Sequence, residues 1–333
     1  MQWERSGQPI EARRMPLPSL SDLKVRLGQP FKFAFFPLNE TGEPSHFAKF
    51  RMASKSSVFC IDRDEPMFGA SYLEQLLEEI KNRYTDCHLL VFPELTIHPR
   101  GREILSDWTR LPNRAVVPGS FHIWDCPEDS PWNESVFILA EEILIRRRKL
   151  GDFRLTSKQQ KQLRQNGVLS GNVIEGDARE GIQLDREFQF ADLSLGRVGV
   201  LICADAINAT GLWLEEAVFE NAPDLLLLVC MSSDTDRFLD FANRACLKGI
   251  SIALVNHCPP LEGRVSVGWY SAAPELEGGP PGWLQLVFRG AEGPTPILEA
   301  YDFRNRAWLP CQHPAVNVCP LGLTVDLETY IGT

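Results

Sequence analysis

Short, mostly apolar runs alternate along this chain with stretches whose apolar residues return every three or four positions. The first run, FKFAFF at 31–36, predicts a strand that Pro37 ends. A charged, irregular stretch follows to about Phe68. SYLEQLLEEIKNRY at 71–84 then carries Leu73, Leu76, Leu77, Ile80 and Tyr84 at helical spacing, with Ser71 as a candidate N-cap. CHLLVFPEL predicts a buried strand ending at Pro93, and RAVVPGSFHIW predicts another. ESVFILA and EILIRRRK predict a strand pair meeting near Glu141 and Glu142. RVGVLIC predicts a central strand, followed by a helix over 212–221 and the strand PDLLLLVC. The amphipathic helix RFLDFANRACLKG, stopped by Gly249, leads into the strand SIALVN. Strand, helix and strand repeated in this order predict an α/β fold, a sheet covered by helices.

The ends of the chain break this rhythm. Residues 1–30 are polar and contain prolines; they read as an N-terminal extension with no clear strand and one short helix near 19–27. The segment 274–296 is rich in glycine and proline and reads as loops around the hairpin strand WLQLVF. No internal repeat interrupts 31–333, which reads as one domain.

Composition narrows the function classes. The 333 residues are 44% hydrophobic and 23% charged, ordinary for a globular chain with a sizeable core. A net charge of −10 argues against general nucleic-acid binding, which needs clustered lysine and arginine. No apolar run is long enough for a transmembrane helix, and MQWERSGQPIEARRMPLP lacks the apolar core of a signal peptide. Nine cysteines, an odd number with no C-x-x-C, point to reduced thiols and a cytoplasmic location.

Three chemically capable residues follow apolar strands: Glu94 ends LLVFPEL, Lys149 ends ILIRRRK and Cys203 ends RVGVLIC. In α/β sheets ligands gather beyond the carboxyl ends of strands. A thiolate is a strong nucleophile, a carboxylate can accept its proton and hand it to a leaving amine, and an ammonium can stabilise an oxyanion beside the Ala204 backbone N–H. Each residue also has an ordinary reading. A buried cysteine packs as a small hydrophobe, a glutamate after proline caps or pairs at the surface, and the run Arg146–Lys149 forms a solvated face.

Taken together, LLVFPEL, RRRKLGDF and RVGVLICAD resemble, in order and in spacing (55 and 54 residues between the glutamate, lysine and cysteine), the nitrilase superfamily of carbon–nitrogen hydrolases. FKFAFF is similar to that family's first strand, and VVPGSF and WNESVFIL to the strand pair before its lysine, with Asn133 matching a recurrent asparagine. FANRACLKGISIALVN is similar to the helix–strand segment that carries Asn256. The resemblance spans about 31–258. It implies a four-layer α-β-β-α sandwich, a homodimer or higher homo-oligomer, no metal or organic cofactor, and a small-molecule amide as partner. It also implies Glu94 as general base and acid, Lys149 as oxyanion group and Cys203 as nucleophile. Asp205 then serves the turn after the nucleophile.

Departures from the pattern leave alternatives open. Many family members carry a second acid soon after the lysine. Here Gln159 and Gln160 stand in that region, and Glu175 or Glu180 could substitute. Ala204–Asp205 replaces the Trp-Glu of the nitrile-cleaving branch, which favours an amide substrate. The missing acid and the unfamiliar C-terminal third also allow a catalytically silent binding or regulatory module, or an acyl transferase to an acceptor other than water. The insertion over 155–182 predicts an unusual pocket wall. Cys311, His313 and Cys319 lack the fourth ligand and tight pairing of a zinc site. Asn256–His257–Cys258 places histidine and cysteine on opposite strand faces. His98, Trp269, Tyr270 and Trp283 are candidate pocket-lining residues.

Overall fold

The computed structural model describes residues 11–16, 31–35, 49–52, 57–61, 70–83, 87–124, 130–193, 196–207, 211–232, 238–256, 266–270, 283–287, 297–302, 307–310, 316–319 and 322–327. Among these the chain is a mixed α/β structure with three sheets. In a nine-stranded sheet, Gly196–Ile202, Leu225–Cys230 and Ser251–Asn256 run parallel side by side. Strands from 266 to 310 extend one edge antiparallel. The eight-stranded sheet is built around Phe31–Phe35, Leu89–Val91 and Ala115–Val117, again parallel, with Trp132–Leu139 and Glu142–Arg148 added antiparallel. The final strand, Gly322–Leu327, closes back on Phe31–Phe35.

Period-2 alternation sets what each face touches. Leu89, Val91, Ala115, Val117, Phe137 and Ile145 share a buried cluster with Phe188, Val198, Val200 and Ile202 of the nine-stranded sheet. Their neighbours Leu90, Phe92, Val116, Val136 and Ile138 point the other way. They pack on Leu73, Leu77 and Ile80 of helix Ala70–Arg83 and on Leu105 and Trp108 of helix Pro99–Trp108. Across the nine-stranded sheet, Val218 of helix Gly211–Asn221 and Phe241, Ala242 and Ala245 of helix Leu239–Cys246 join the first cluster.

Several expectations are corrected. Residues 1–30 do hold a strand: Glu11–Met15 runs parallel to Glu187–Leu193 at the sheet edge. Its charges conceal it, because Arg13 pairs with Glu187 and Arg14 with Asp192 where a buried strand would show apolar alternation. Helix Ala70–Arg83 begins before Ser71, which lies in its first turn. RAVVPGSFHIW is two strands, Ala115–Val117 and Ser120–Ile123. The break falls at Pro118, which has no N–H to donate, and Gly119, whose φ is +73°. A Cβ at Gly119 would lie 1.8 Å from the Pro93 carbonyl oxygen, so only glycine lets these segments meet so closely. The helix proposed near 19–27 and the loops around 283–287 lie outside the described residues.

The stretch 37–68 supplies two strands, Phe50–Met52 and Val58–Ile61. They combine with Arg154–Leu155, Leu169–Ser170 and Ala178–Glu180 of the insertion into a five-stranded sheet. Helix Ser157–Gln165 packs on it through Leu163. Thr156 and Gln159 form a reciprocal capping box at the start of that helix. Gln159 is therefore a cap, and Gln160 is a buried tie to Leu155 O and Gly176 O.

Candidate active site

Glu94 is delivered by the segment just beyond Leu89–Val91. The Phe92 N–H donates to Val117 O and the Leu95 N–H to Ser120 O, so the chain continues beside its neighbour through the close approach at Gly119. Lys149 follows the last residue of Glu142–Arg148, and its N–H donates to Asn133 O. The two side chains meet in the interior: Lys149 Nζ donates to Glu94 Oε1 at 2.8 Å.

A second acid completes the arrangement. Lys149 Nζ also donates to Glu180 Oε2 at 2.7 Å. Asn133 Nδ2 bridges the carboxylates, at 3.0 Å from Glu94 Oε1 and 2.9 Å from Glu180 Oε1. The Met231 N–H donates to Glu94 Oε2 and the Phe153 N–H to Glu180 Oε2. His122 Nδ1 accepts the Ile61 N–H at 2.9 Å, which leaves the ring proton on Nε2, 3.0 Å from Glu180 Oε1. Asn256 exchanges two hydrogen bonds with the Ser232 backbone and so fixes the segment that carries the Met231 amide.

Cys203 opens a single 3-10 turn, Cys203–Ala206, directly after Gly196–Ile202. Its φ of +36° is a strained value for a residue with a Cβ, of the kind that clusters where function demands it. Cys203 is 2% exposed, and its side chain lies within electrostatic reach of Glu94. Cys230, at the end of the adjacent strand, lies near enough for the two thiols to influence each other electrostatically.

The electrostatics follow from burial opposed by pairing. Burial raises the Glu94 carboxyl above its ordinary value; Lys149 opposes that rise and Glu180 adds to it. Burial alone would depress Lys149, yet Glu180 and then Glu94 outweigh it and hold the ammonium well above 10.5. Burial pushes Glu180 up, but Lys149 and His122 reverse this and hold it well below the usual carboxylate range. Burial likewise raises the Cys230 thiol well above its usual value.

A small hollow of about 20 Å³ is lined by Glu94, Lys149 and Glu180 together with apolar side chains, among them Phe50, Phe59 and Leu155 of the five-stranded sheet. Cys203 is not among the described residues that line it. This arrangement can transfer a proton between thiol and carboxylate, and it sets a fixed cation beside both.

Other candidates fall elsewhere. Asp205 is fully buried; it accepts the Leu150 and Gly151 N–H groups and pairs with Arg147 at 3.0 Å. The basic run is therefore no solvated face. Arg147 and Lys149 are interior, while Arg146 and Arg148 pair with the buried Glu134. His98 is the N-cap of helix Pro99–Trp108 and stacks edge-on against Phe121. Glu175 is exposed. Cys311, His313, His257 and Cys258 lie outside the described residues, and among the described residues no group of three or more His, Cys, Asp or Glu could hold a metal ion. Nor is any described helix long and apolar enough to cross a membrane.

Sequence reasoning left Glu180 unplaced and missed His122. The insertion moves the acid far along the chain from the lysine, so spacing gives no cue. Ser120 and His122, two apart on one strand, share a polar face that a reading as one apolar run hides.

No family model matches the sequence, and no curated protein is similar to it. In shape the chain is similar to solved members of the nitrilase superfamily. A branch 10 member from Saccharomyces cerevisiae aligns with TM-score 0.45 at 13% identity, over 91% of this chain and 92% of that one. A carbon–nitrogen hydrolase superfamily protein from Xanthomonas campestris, with an arsenic adduct in its active site, aligns with TM-score 0.43 at 10% identity, over 79% and 91%. A glutamine-dependent NAD+ synthetase from Acinetobacter baumannii aligns with TM-score 0.48 at 14% identity, over 90% of this chain. This chain spans about half of that synthetase, 49% of its length.

Proposed function

We propose that this chain is a thiol-dependent hydrolase of non-peptide C–N bonds acting on an amide, built as a four-layer α-β-β-α sandwich of the nitrilase type. The observation that carries the reading is Cys203, held at a strained strand-end turn within electrostatic reach of Glu94, whose carboxylate itself accepts a hydrogen bond from the buried Lys149 ammonium.

Glu94 accepts the Cys203 proton as sulfur attacks the amide carbon. The tetrahedral oxyanion forms against Lys149 and the Ala204 N–H. The C–N bond then breaks, the leaving ammonia or amine takes the proton from Glu94, and a thioester remains on Cys203. Glu94 next deprotonates a water, which attacks the thioester carbon. Collapse expels the Cys203 thiolate, which recovers a proton, and releases the acid. Glu180 touches no reacting atom in this scheme. It keeps Lys149 charged and in place, with His122 and the Phe153 amide orienting it in turn.

Glu180 on Lys149 supplies a second acid and so supports turnover over a silent module. Cys203→Ala is the direct test. Turnover of a neutral primary amide is expected to fall by about a thousandfold or more with the unfolding midpoint little changed. Turnover retained in Cys203→Ala rejects the scheme. Because burial raises Glu94, the acid limb of kcat/KM is expected above the ordinary glutamate value of 4.5.

A further inference from the structure

A buried thiol with no part in the proposed reaction stands beside the nucleophile. Gly196–Ile202 and Leu225–Cys230 run parallel and in register, from Val198 against Leu225 to Ile202 against Val229. The next step of that register sets Cys203 against Cys230. Cys203 directly follows the first strand and Cys230 ends the second. Neighbouring strands lie about 4.8 Å apart, inside the Cα separation of about 4.4–6.8 Å that a disulfide spans. Both cysteines are buried and free, on interior strands of the nine-stranded sheet.

Each partner is anchored from its own side. Asp205 accepts the Leu150, Gly151 and Ile202 N–H groups, which pins the turn that Cys203 opens. Cys230 is in register with Asn256, whose side chain exchanges two hydrogen bonds with the Ser232 backbone. The backbone therefore sets the two thiols side by side. Cys230 is unreactive by itself: burial, then Cys203 and Glu94, raise its thiol well above the ordinary value of 9.0, and Lys149 only partly opposes them. Two other free cysteines lie elsewhere. Cys60 is on Val58–Ile61 of the five-stranded sheet, and Cys87 packs with Leu73, Leu77 and Ile80 of helix Ala70–Arg83.

We propose that Cys230 is the resolving thiol of Cys203, so that a peroxide converts the pair into an intramolecular disulfide that a dithiol reverses. The Cys203 thiolate attacks one peroxide oxygen and the O–O bond breaks. Sulfur is oxidised by two electrons to the sulfenic acid, and the other oxygen leaves as hydroxide, which takes up a proton to become water. Cys230 then attacks the Cys203 sulfur. The S–O bond breaks, the hydroxyl leaves as water with the Cys230 proton, and the S–S bond forms. A dithiol returns both thiols and is itself oxidised to a disulfide. The inference rests on the reading of Cys203 as an activated, reachable nucleophile, with Glu94 as its base. It gives that thiol a reversible inactive form and keeps it from the irreversible sulfinic and sulfonic acids.

The test treats the folded protein with hydrogen peroxide, blocks remaining thiols by alkylation and maps its peptides by mass spectrometry without reduction. A linked peptide pair joining Cys203 to Cys230 is expected, and dithiothreitol is expected to return both thiols. In Cys230→Ser, Cys203 is expected instead as a sulfenic acid that dimedone traps, then as the sulfinic acid. After prolonged exposure the fraction of Cys203 thiol that dithiothreitol recovers is expected to be about tenfold lower in that variant than in wild type. Cys230→Ala serves if the serine variant fails to fold, and the wild-type peptide map decides without either. Three results overturn the inference and leave the hydrolase reading intact: Cys203 oxidised without a link to Cys230, Cys203 linked to a different cysteine, or equal recovery in wild type and Cys230→Ser. Cys203 no more reactive toward peroxide than the buried Cys87 overturns both.

Discussion

Arg147 and Lys149 stand two residues apart in one basic run, both are buried, and both are paired with acids, yet they belong to different kinds of site. Arg147 is closed in on every side. Its guanidinium donates to Asp205 and to Glu187 O and lies over the Phe188 ring, while Asp205 also accepts the Leu150, Gly151 and Ile202 N–H groups. Lys149 and its two acids border a hollow and a thiol. A buried charge closed off from solvent and ion-paired within the protein is a fastener; here it ties the loop after Lys149 to the turn that begins with Cys203. A buried charge that borders open space is available to a substrate.

Substitutions should separate the two. Lys149→Met is expected to lower turnover by about a hundredfold to a thousandfold, because the oxyanion loses its cation. Arg147→Met leaves Asp205 a buried unpaired carboxylate and is expected to reduce unfolding free energy by about 3–5 kcal/mol in denaturant titration. Equal effects of both variants on activity and on stability would erase the distinction.

Glu180 sharpens the comparison through pH. Its folded pKa lies below the ordinary 4.5, so the fold favours its ionised form. The stability it lends is complete above pH 4.5 and is lost as pH falls toward the folded value. The difference in Tm between wild type and Glu180→Gln is therefore expected to narrow between about pH 4.5 and pH 3. A constant difference would mean that Glu180 acts by shape alone. His122→Ala is expected to cost about 1–3 kcal/mol, since it strands the buried Ile61 N–H, and to slow turnover by loosening Glu180. Rescue of turnover by His122→Gln, with the pH profile restored, would support a positioning role over mere packing. The smallest effect belongs to the pocket wall: Thr156→Ala removes the capping box and is expected to cost about 1 kcal/mol with Lys149 undisturbed.

The same contrast explains what could be read from the chain. The strand tips of Glu94 and Cys203 were legible because each follows a largely apolar run, as a strand buried on both faces requires, whereas Lys149 closes the basic run Arg146–Arg148 and was legible only by its spacing from the other two. Helix Ala70–Arg83 was legible to within a residue from the spacing of Leu73, Leu77 and Ile80. The five-stranded sheet was not, because its strands have two to four residues, too few for a period, and come from segments about a hundred residues apart. Strand Glu11–Met15 was hidden by arginines whose partners lie far along the chain. Arg147 looked exposed because a run of like charges carries no mark of the one buried acid, Asp205, that takes it inside. Glu180 reaches Lys149 only through the pairing of Ala178–Glu180 with Val58–Ile61, a tertiary event with no local signature.

The central claim is that Cys203 becomes acylated. Intact-protein and peptide mass spectrometry after rapid acid quench of the protein with a panel of primary amides tests it most directly. The account predicts an acyl adduct on Cys203 that hydroxylamine removes, absent in Cys203→Ala and formed much more slowly in Glu94→Gln, where the thiol loses its base. Turnover with no adduct on Cys203 at any quench time, or with the adduct on another residue, would contradict it.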